Sequence, residues 1–142
     1  MSTRPSEPQV AYEALEFFVA EMDKRYKADE SQIPRKKIVL VIDELVDLLA
    51  VNKDAEKHLI RLAIKARAAG IHLLLATQRP DAATLSGQLR DNLNVKIALH
   101  VDSRQASEIV LKSSGAETLV AKGDHYVRWN GSKLQFLHGY NI

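Results

Sequence analysis

Two adjacent carboxylates, Asp43 and Glu44, are the residues of this chain whose types and position best suit chemistry. They follow a run of five apolar residues, 38–42, four of which are β-branched. Such a run is too short for an ordinary helix and is typical of a strand that is buried on both faces. Ligands bind at the carboxyl ends of the strands in open α/β sheets, so both acids are expected at a binding edge.

A carboxylate at this position can order the water shell of a nucleotide-bound Mg²⁺, and the carboxylate that follows it can polarise an attacking water. This arrangement is a Walker B element, in which Asp43 takes the first role and Glu44 the second. The competing interpretation is a buried strand that simply ends in solvated acids.

A second apolar run, residues 71–76, also ends in polar side chains, those of Thr77 and Gln78. A stretch with helical periodicity separates the two runs, and a connection of this length predicts a βαβ unit with parallel strands. Because the carboxyl ends of parallel strands lie at one edge, we expect Thr77 and Gln78 to lie near Asp43 and Glu44. This convergence is the main reason to expect a site.

The elements that must position these residues follow from periodicity and turn signals. Asp54 is expected to cap one helix, and Asp102 with Gln105 to form a capping box for another. Gly70 is expected to close the helix before the second strand, and Asn130-Gly131 to turn a hairpin. The predicted helices cover residues 10–27, 45–51, 54–69, part of 81–94, 102–111 and 115–121, and the predicted strands cover 38–42, 71–76, 95–101, 125–129 and 133–137.

Together these elements predict an α/β fold, with a mostly parallel sheet flanked by helices and a C-terminal β-hairpin. Residues 1–9 contain two prolines and no apolar period, so we expect a flexible lead-in there. The remaining residues, 10–142, are expected to form one domain with a substantial core.

Composition excludes several classes of protein. The 20 basic and 18 acidic residues give a net charge of +2, which is too small to indicate nucleic-acid or membrane binding by bulk charge. The absence of cysteine argues against disulfides and thiol metal sites, and the five histidines have no metal-binding spacing. No apolar run approaches the length of a membrane span or a signal peptide core. We therefore expect a soluble, cytoplasmic protein, with any membrane association supplied by parts of a longer protein.

Three ordered stretches of the chain read VIDELVDLL, IRLAIKARAAGIHLLLATQRPD and SRQASEIVLKSSGAETLVAKGDHYV. They closely resemble the motor domain of FtsK/SpoIIIE-type DNA translocases. The earlier stretch ALEFFVAEMDKRYK and the late HGY extend the resemblance over nearly all of residues 10–142. The chain is accordingly interpreted as the C-terminal part of a RecA-like P-loop NTPase motor domain, from Walker B onward.

The resemblance implies a hexameric motor that hydrolyses ATP and moves double-stranded DNA, with chromosome segregation and cell division among its processes. Carried over residue by residue, Asp43 holds Mg²⁺ through water and Glu44 activates the hydrolytic water. Thr77 and Gln78 contact the nucleotide, and Gln78 is the sensor of the γ-phosphate. From the residues alone, Gln78 could instead cap backbone groups at the end of its strand.

The resemblance also implies an arginine finger that reaches the site of the next subunit. Arg67 is the preferred candidate and Arg79 the competitor, because a delocalised guanidinium charge suits phosphoryl transfer. Arg67 could equally be a cation at the end of a helix. For DNA, Arg79, Arg90 and Lys96 could contact phosphates without sequence preference, although three cations in this segment are also what a solvated surface shows.

One departure from the family is decisive for activity. No G-x-x-x-x-G-K-[ST] motif occurs in the 142 residues, so the backbone cradle for the β- and γ-phosphates is missing. ATP and Mg²⁺ are therefore expected to bind only with a P-loop segment from outside this sequence, and hydrolysis by the chain alone is not expected. The alternative is a stand-alone, non-catalytic protein that binds or regulates an intact motor.

Overall fold

The computed structural model describes residues 7–28, 36–83 and 85–139. These residues divide into two compact units, one that ends at Gln78 and one that begins at Arg79. Both units combine helices with strands, in agreement with the predicted α/β class. No helix in the described ranges is long and apolar enough to cross a membrane.

The first unit carries three helices and two strands. Its first helix begins three residues before the predicted start, and residues 1–6 of the predicted lead-in lie outside the described residues. The third helix ends at Lys65, earlier than predicted, and a turn then leads to Gly70, whose φ of 73° is the left-handed value expected of it. The elements are α1 (Glu7–Lys27), β1 (Ile38–Ile42), α2 (Leu45–Val51), α3 (Asp54–Lys65) and β2 (Ile71–Leu75).

The predicted cap of α3 is wrong in one respect. Asp54 is the first residue of the helix, and Lys53 occupies the cap position without a side-chain hydrogen bond. The side chain of Asn52 instead accepts a hydrogen bond from the Asp54 amide at 2.9 Å. An amide oxygen placed two residues earlier thus satisfies the backbone donor that the helix leaves unpaired.

Strands β1 and β2 pair in parallel over their whole length, from Ile38 opposite Ile71 to Ile42 opposite Leu75. This pairing confirms the predicted βαβ unit. Backbone hydrogen bonds continue past the strand ends, from the Ala76 amide to the Ile42 carbonyl at 2.8 Å and from the Leu45 amide to the Ala76 carbonyl at 2.9 Å. The segments that follow the two strands are therefore held side by side.

The prediction that β1 is buried on both faces is wrong for the described residues. Val39 and Val41 each remain 59% exposed, and Leu74 of β2 is 55% exposed. Side chains alternate between the two faces of a strand, and the other residues of β1 are half-buried. One face of the pair is thus left uncovered by the described helices. The core of this unit combines apolar side chains of these helices, of the turn after α3 and of β2: Leu15, Val19, Met22, Leu45, Leu48, Leu49, Ala55, Leu59, Leu62, Ala66, Ala69, Ile71.

The second unit contains an antiparallel sheet in which β3 (Val95–Ala98) pairs with β4 (Asp124–Trp129), and β4 pairs with β5 (Gln135–His138). Asn130 and Gly131 connect β4 to β5 with φ values of 44° and 74°, which confirms the predicted hairpin turn. The short helix predicted in residues 115–121 is a single 3₁₀ turn, Ala116–Thr118. The helices of this unit are α4 (Gly87–Asn92) and α5 (Arg104–Leu111).

Two details of this unit differ from the sequence expectations. Ser103, not Asp102, caps α5, because its extended backbone lets Oγ accept from the Ala106 amide at 3.1 Å. The more apolar face of β3, with Ile97 and its alternate neighbours, is the exposed one. The covered face carries Ala98, which packs with residues of α5 and of the turn before β4: Leu111, Ala116 and Leu119.

Candidate functional site

The side chains of Glu44 and Thr77 meet where β1 and β2 end. Thr77 Oγ1 donates a hydrogen bond to Glu44 Oε1 at 2.6 Å, and the Gln78 amide donates to Glu44 Oε2 at 3.1 Å. Glu44 is also the N-cap of α2, since Oε1 accepts from the Val46 amide at 3.3 Å. The structure therefore brings together Glu44, Thr77 and Gln78 as the parallel topology predicts.

Asp43 occupies the same edge but a different environment. It lies in the bend directly after β1 and is exposed. No hydrogen bond or ion pair to its carboxylate occurs within the described ranges. Its oxygens are thus open to solvent, whereas those of Glu44 accept hydrogen bonds from the protein.

The carboxylate oxygens at this edge suit a hard cation whose other ligands are mainly water and phosphate. A solvent-facing carboxylate such as that of Asp43 is the kind of oxygen group that Mg²⁺ takes singly, while it keeps several waters and binds phosphate. Across the residues that the structure describes, no group of three or more His, Cys, Asp or Glu side chains could hold a metal ion. The open carboxylate of Asp43 therefore has the chemistry of a group that can hold Mg²⁺ through water.

Arg67 is not part of this cluster. It is exposed in the turn between α3 and β2, where the Gly70 amide donates to its carbonyl at 3.0 Å. Thr77 follows the other end of β2, whose five residues span roughly 16 Å at about 3.3 Å per residue. Arg67 therefore lies toward the opposite edge of the strand pair from the acids of its own chain.

A buried arginine that sequence reasoning missed supports the turn carrying Arg67. Arg25 is only 5% exposed, pairs with Glu21 at 2.8 Å, and donates from Nη1 to the carbonyls of Ala69 at 2.9 Å and Lys36 at 3.3 Å. The signal was present in the sequence, because Arg25 lies three residues after buried Met22 on the apolar stripe of α1. A charge at such a position indicates a buried partner.

The cations proposed for DNA lie in the second unit, and two of them belong to a cluster. Lys96 faces Arg128 directly across the β3–β4 register. Burial lowers the pKa of Lys96 below its usual value, and the positive charges of Lys112, Arg128 and Arg90 lower it further, against an opposing effect of Asp91. We call Arg90, Lys96, Lys112 and Arg128 the cationic cluster.

Hydrogen bonds fix the members of the cationic cluster in place. Arg90 Nη1 donates to the Ile109 carbonyl at 3.2 Å, Arg128 Nη2 to Ser113 Oγ at 2.7 Å, and Lys112 pairs with Asp91 at 2.7 Å. Arg79, the third predicted DNA contact, is exposed in the segment before α4. Lys112 and Arg128 were missed, since only the strand register places Arg128 opposite Lys96 and only the packing of the unit brings Lys112, at the end of α5, near it.

Comparison with known proteins gives concordant results. Residues 27–82 match the FtsK/SpoIIIE family. The DNA translocase FtsK of Streptococcus agalactiae serotype V is 37% identical to this chain over an alignment that is 158 residues long. The alignment includes 88% of this chain and 19% of the relative. The chain thus spans about a fifth of the length of this curated relative.

Two solved structures are similar in fold. The pCW3 conjugation coupling protein TcpA, in its monomer form with ATPgS, superposes with a TM-score of 0.81 at 28% identity, over 93% of this chain and 44% of that one. The cytoplasmic domain of the Thermomonospora curvata Type VII secretion ATPase EccC superposes with a TM-score of 0.77 at 25% identity, over 92% of this chain and 17% of that one. These similarities confirm the predicted fold class, a RecA-like P-loop NTPase half-domain. The chain is therefore an FtsK/SpoIIIE-type domain.

Proposed function

We propose that this chain is part of an ATP-driven motor that translocates double-stranded DNA. The observation that carries the proposal is the meeting of Glu44 with Thr77 and Gln78 beside an open carboxylate, Asp43, at the carboxyl ends of two parallel strands. That edge is where α/β proteins bind ligands. The DNA translocase FtsK relatives support the choice of substrate.

In the proposed mechanism, each residue at the edge has its own task. Asp43 orders the water shell of Mg²⁺, and Glu44 accepts the proton of the attacking water. Gln78 orients that water or the γ-phosphate through its side chain. Mg²⁺ supplies charge neutralisation at the phosphates when it is bound with ATP, and both require a P-loop segment that these 142 residues do not contain.

Arg67 serves a neighbouring subunit in this proposal. Its place toward the far edge of the strand pair keeps it from the acids of its own chain, but an exposed guanidinium there is available to a site on another copy. Such an arginine stabilises charge in phosphoryl transfer. An arginine in this role requires a ring of subunits, and we propose that the ring is a hexamer.

DNA is held by phosphate contacts from the cationic cluster together with Arg79. Lys96 and Arg128 are directly opposite each other, and like charges in this relation are unfavourable unless an anion lies between or above them. A phosphate backbone supplies such anions in a regular row. Binding is accordingly independent of sequence and weakened by salt.

The test is a chimeric motor. The segment of Streptococcus agalactiae DNA translocase FtsK that matches this chain is replaced by these 142 residues, so that the relative supplies the P-loop. We expect ATP hydrolysis that duplex DNA stimulates. Glu44→Gln should lower kcat by at least about a hundredfold while ATP binding is retained, because only the proton acceptor is lost.

The matched control is Glu56→Gln, a second glutamate of the same unit, which lies in the first turn of α3. It should leave hydrolysis at the wild-type rate. A chimera that assembles and binds ATP but hydrolyses it at the same rate with Glu44→Gln would remove Glu44 from the mechanism. A chimera that assembles and never hydrolyses ATP would instead favour a non-catalytic partner of an intact motor.

A further inference from the structure

The carboxylate of Glu44 has two roles that conflict, as an acceptor of structural hydrogen bonds and as the proposed general base. Its two oxygens accept hydrogen bonds from the Thr77 hydroxyl and from the amides of Gln78 and Val46, which tie the start of α2 to the end of β2. A general base, in contrast, must offer an oxygen to the water that it activates. Each protein donor competes with that water for the same lone pairs.

The bond from Thr77 is the one that matters most. At 2.6 Å it has the length of a charge-assisted O–H···O⁻ hydrogen bond, the stronger class of such interactions. The two backbone donors lie at 3.1 and 3.3 Å. The neighbouring acid, Asp43, is exposed, so the restraint acts on Glu44 specifically.

We infer that Thr77 is a latch on Glu44: its hydroxyl holds the carboxylate in a resting position, and hydrolysis requires that this bond be released. This inference rests on the proposed function, since it describes a resting state of the base named there. Thr77 is thereby a positioning residue, rather than the nucleotide ligand that the family resemblance implies.

The place of the latch in the chain indicates what opens it. Gln78, whose amide holds the second oxygen of Glu44, is the last residue of the first unit, and Arg79 begins the unit that carries the cationic cluster. The Gln78 amide is one of the donors to Glu44, so a rotation of the backbone at this junction would alter that hydrogen bond. We assign the release of the latch to DNA binding, which makes hydrolysis depend on DNA.

The first test measures hydrolysis by the chimeric motor with Thr77→Val, which removes the donor at almost unchanged shape. We expect kcat without DNA to rise about tenfold, the effect of losing one hydrogen bond to a charged group, with KM for ATP unchanged. The rate with DNA should stay at the wild-type value. Thr77→Ser keeps the hydroxyl and should keep the low rate without DNA.

Two results of this test would overturn the latch. If Thr77→Val raises KM for ATP and lowers kcat equally with and without DNA, Thr77 contacts the nucleotide. If it lowers only thermal stability and leaves the rate without DNA unchanged, the bond to Glu44 is structural.

The second test needs no activity and uses the 142-residue chain itself. The solvent exchange rate of the Gln78 amide is measured by NMR for wild type, Thr77→Val and Thr77→Ser. Release of Glu44 should speed this exchange at least about threefold in Thr77→Val alone. Equal rates in all three proteins would overturn the latch even in an active motor, whereas a wild-type chimera without ATPase activity would defeat the proposed function itself.

Discussion

Arg25 Nη1 donates a hydrogen bond to the carbonyl of Ala69 at 2.9 Å, although 44 residues separate the two in sequence. This contact joins the last turn of α1 to the turn that precedes β2. The guanidinium is buried and its Nε pairs with Glu21, whose pKa it lowers through that hydrogen bond. Arg25 therefore holds the end of α1 against the turn that precedes β2.

Replacing this buried cation should be costly. Arg25→Leu leaves the Ala69 carbonyl without its donor and Glu21 without its partner, so we expect a loss of about 3 kcal/mol in the free energy of unfolding. The change in this free energy is measured by urea unfolding of the first unit, with hydrogen exchange of its helical amides as the signal. The control is Arg61→Leu, whose ion pair with Asp23 is exposed and should contribute less than about 1 kcal/mol. Equal losses in the two variants would contradict the assigned role.

The uncovered face of the β1–β2 pair should make the isolated chain associate with itself. Val39, Val41 and Leu74 each expose more than half of their surface there, and such apolar patches associate in water. We expect the sedimentation mass to rise above 15.9 kDa with concentration. Combined Val39→Lys and Val41→Lys should hold it near the monomer value.

The control for this face is Ile64→Lys. Ile64 is 53% exposed but lies on α3 rather than on the strands, so its replacement should leave association unchanged. If the double variant associates as strongly as wild type, then the strand face is not the contact surface.

The cationic cluster should determine how salt affects DNA binding. Lys96→Gln and Lys112→Gln should each weaken duplex binding, and each lost phosphate contact should reduce the slope of log K against log salt by about 0.9. Fluorescence anisotropy at several salt concentrations, with two unrelated duplex sequences, measures both quantities. Lys57→Gln, in the exposed ion pair with Asp54, is the control and should leave the slope unchanged. A slope unaffected by both cluster variants would remove this surface from DNA binding.

The hairpin of the second unit should lose stability in acid through Asp124. The hydrogen bond from His138, at 2.6 Å, is the largest effect that lowers the pKa of Asp124 below its usual value, and the Ala121 amide adds to it. A carboxyl whose pKa is lowered on folding stabilises the fold above its unfolded pKa of 3.8, and this contribution is lost as the pH falls through the folded value.

Asp124→Asn removes that contribution. Relative to wild type, the variant should unfold at lower urea concentration near pH 6, and the difference should shrink as the pH falls below 3.8. Trp129, the single tryptophan, lies in the same strand and reports the transition by fluorescence. A difference that does not change with pH would show that Asp124 acts without its charge.

The sequence predicted the geometry of the candidate site better than its surroundings. Strand composition and the connection length suffice to place Glu44 beside Thr77, because parallel strands joined by a helix must end at the same edge. The uncovered face of β1 could not be predicted, since β-branched residues report burial in a complete sheet and not which layers cover it. Arg128 joins Lys96 only through an antiparallel register that residue spacing leaves open, and Lys112 joins them from the end of α5.

The junction of the two strand ends depends on peptide groups rather than side chains. Ala76 and its partners Ile42 and Leu45 exchange backbone hydrogen bonds that almost any amino acid could supply. Replacement of Asp43 or Glu44 would therefore remove a carboxylate from this edge and leave the backbone alignment of the two strand ends in place. The edge can in this way keep its shape in relatives whose acidic side chains have been replaced.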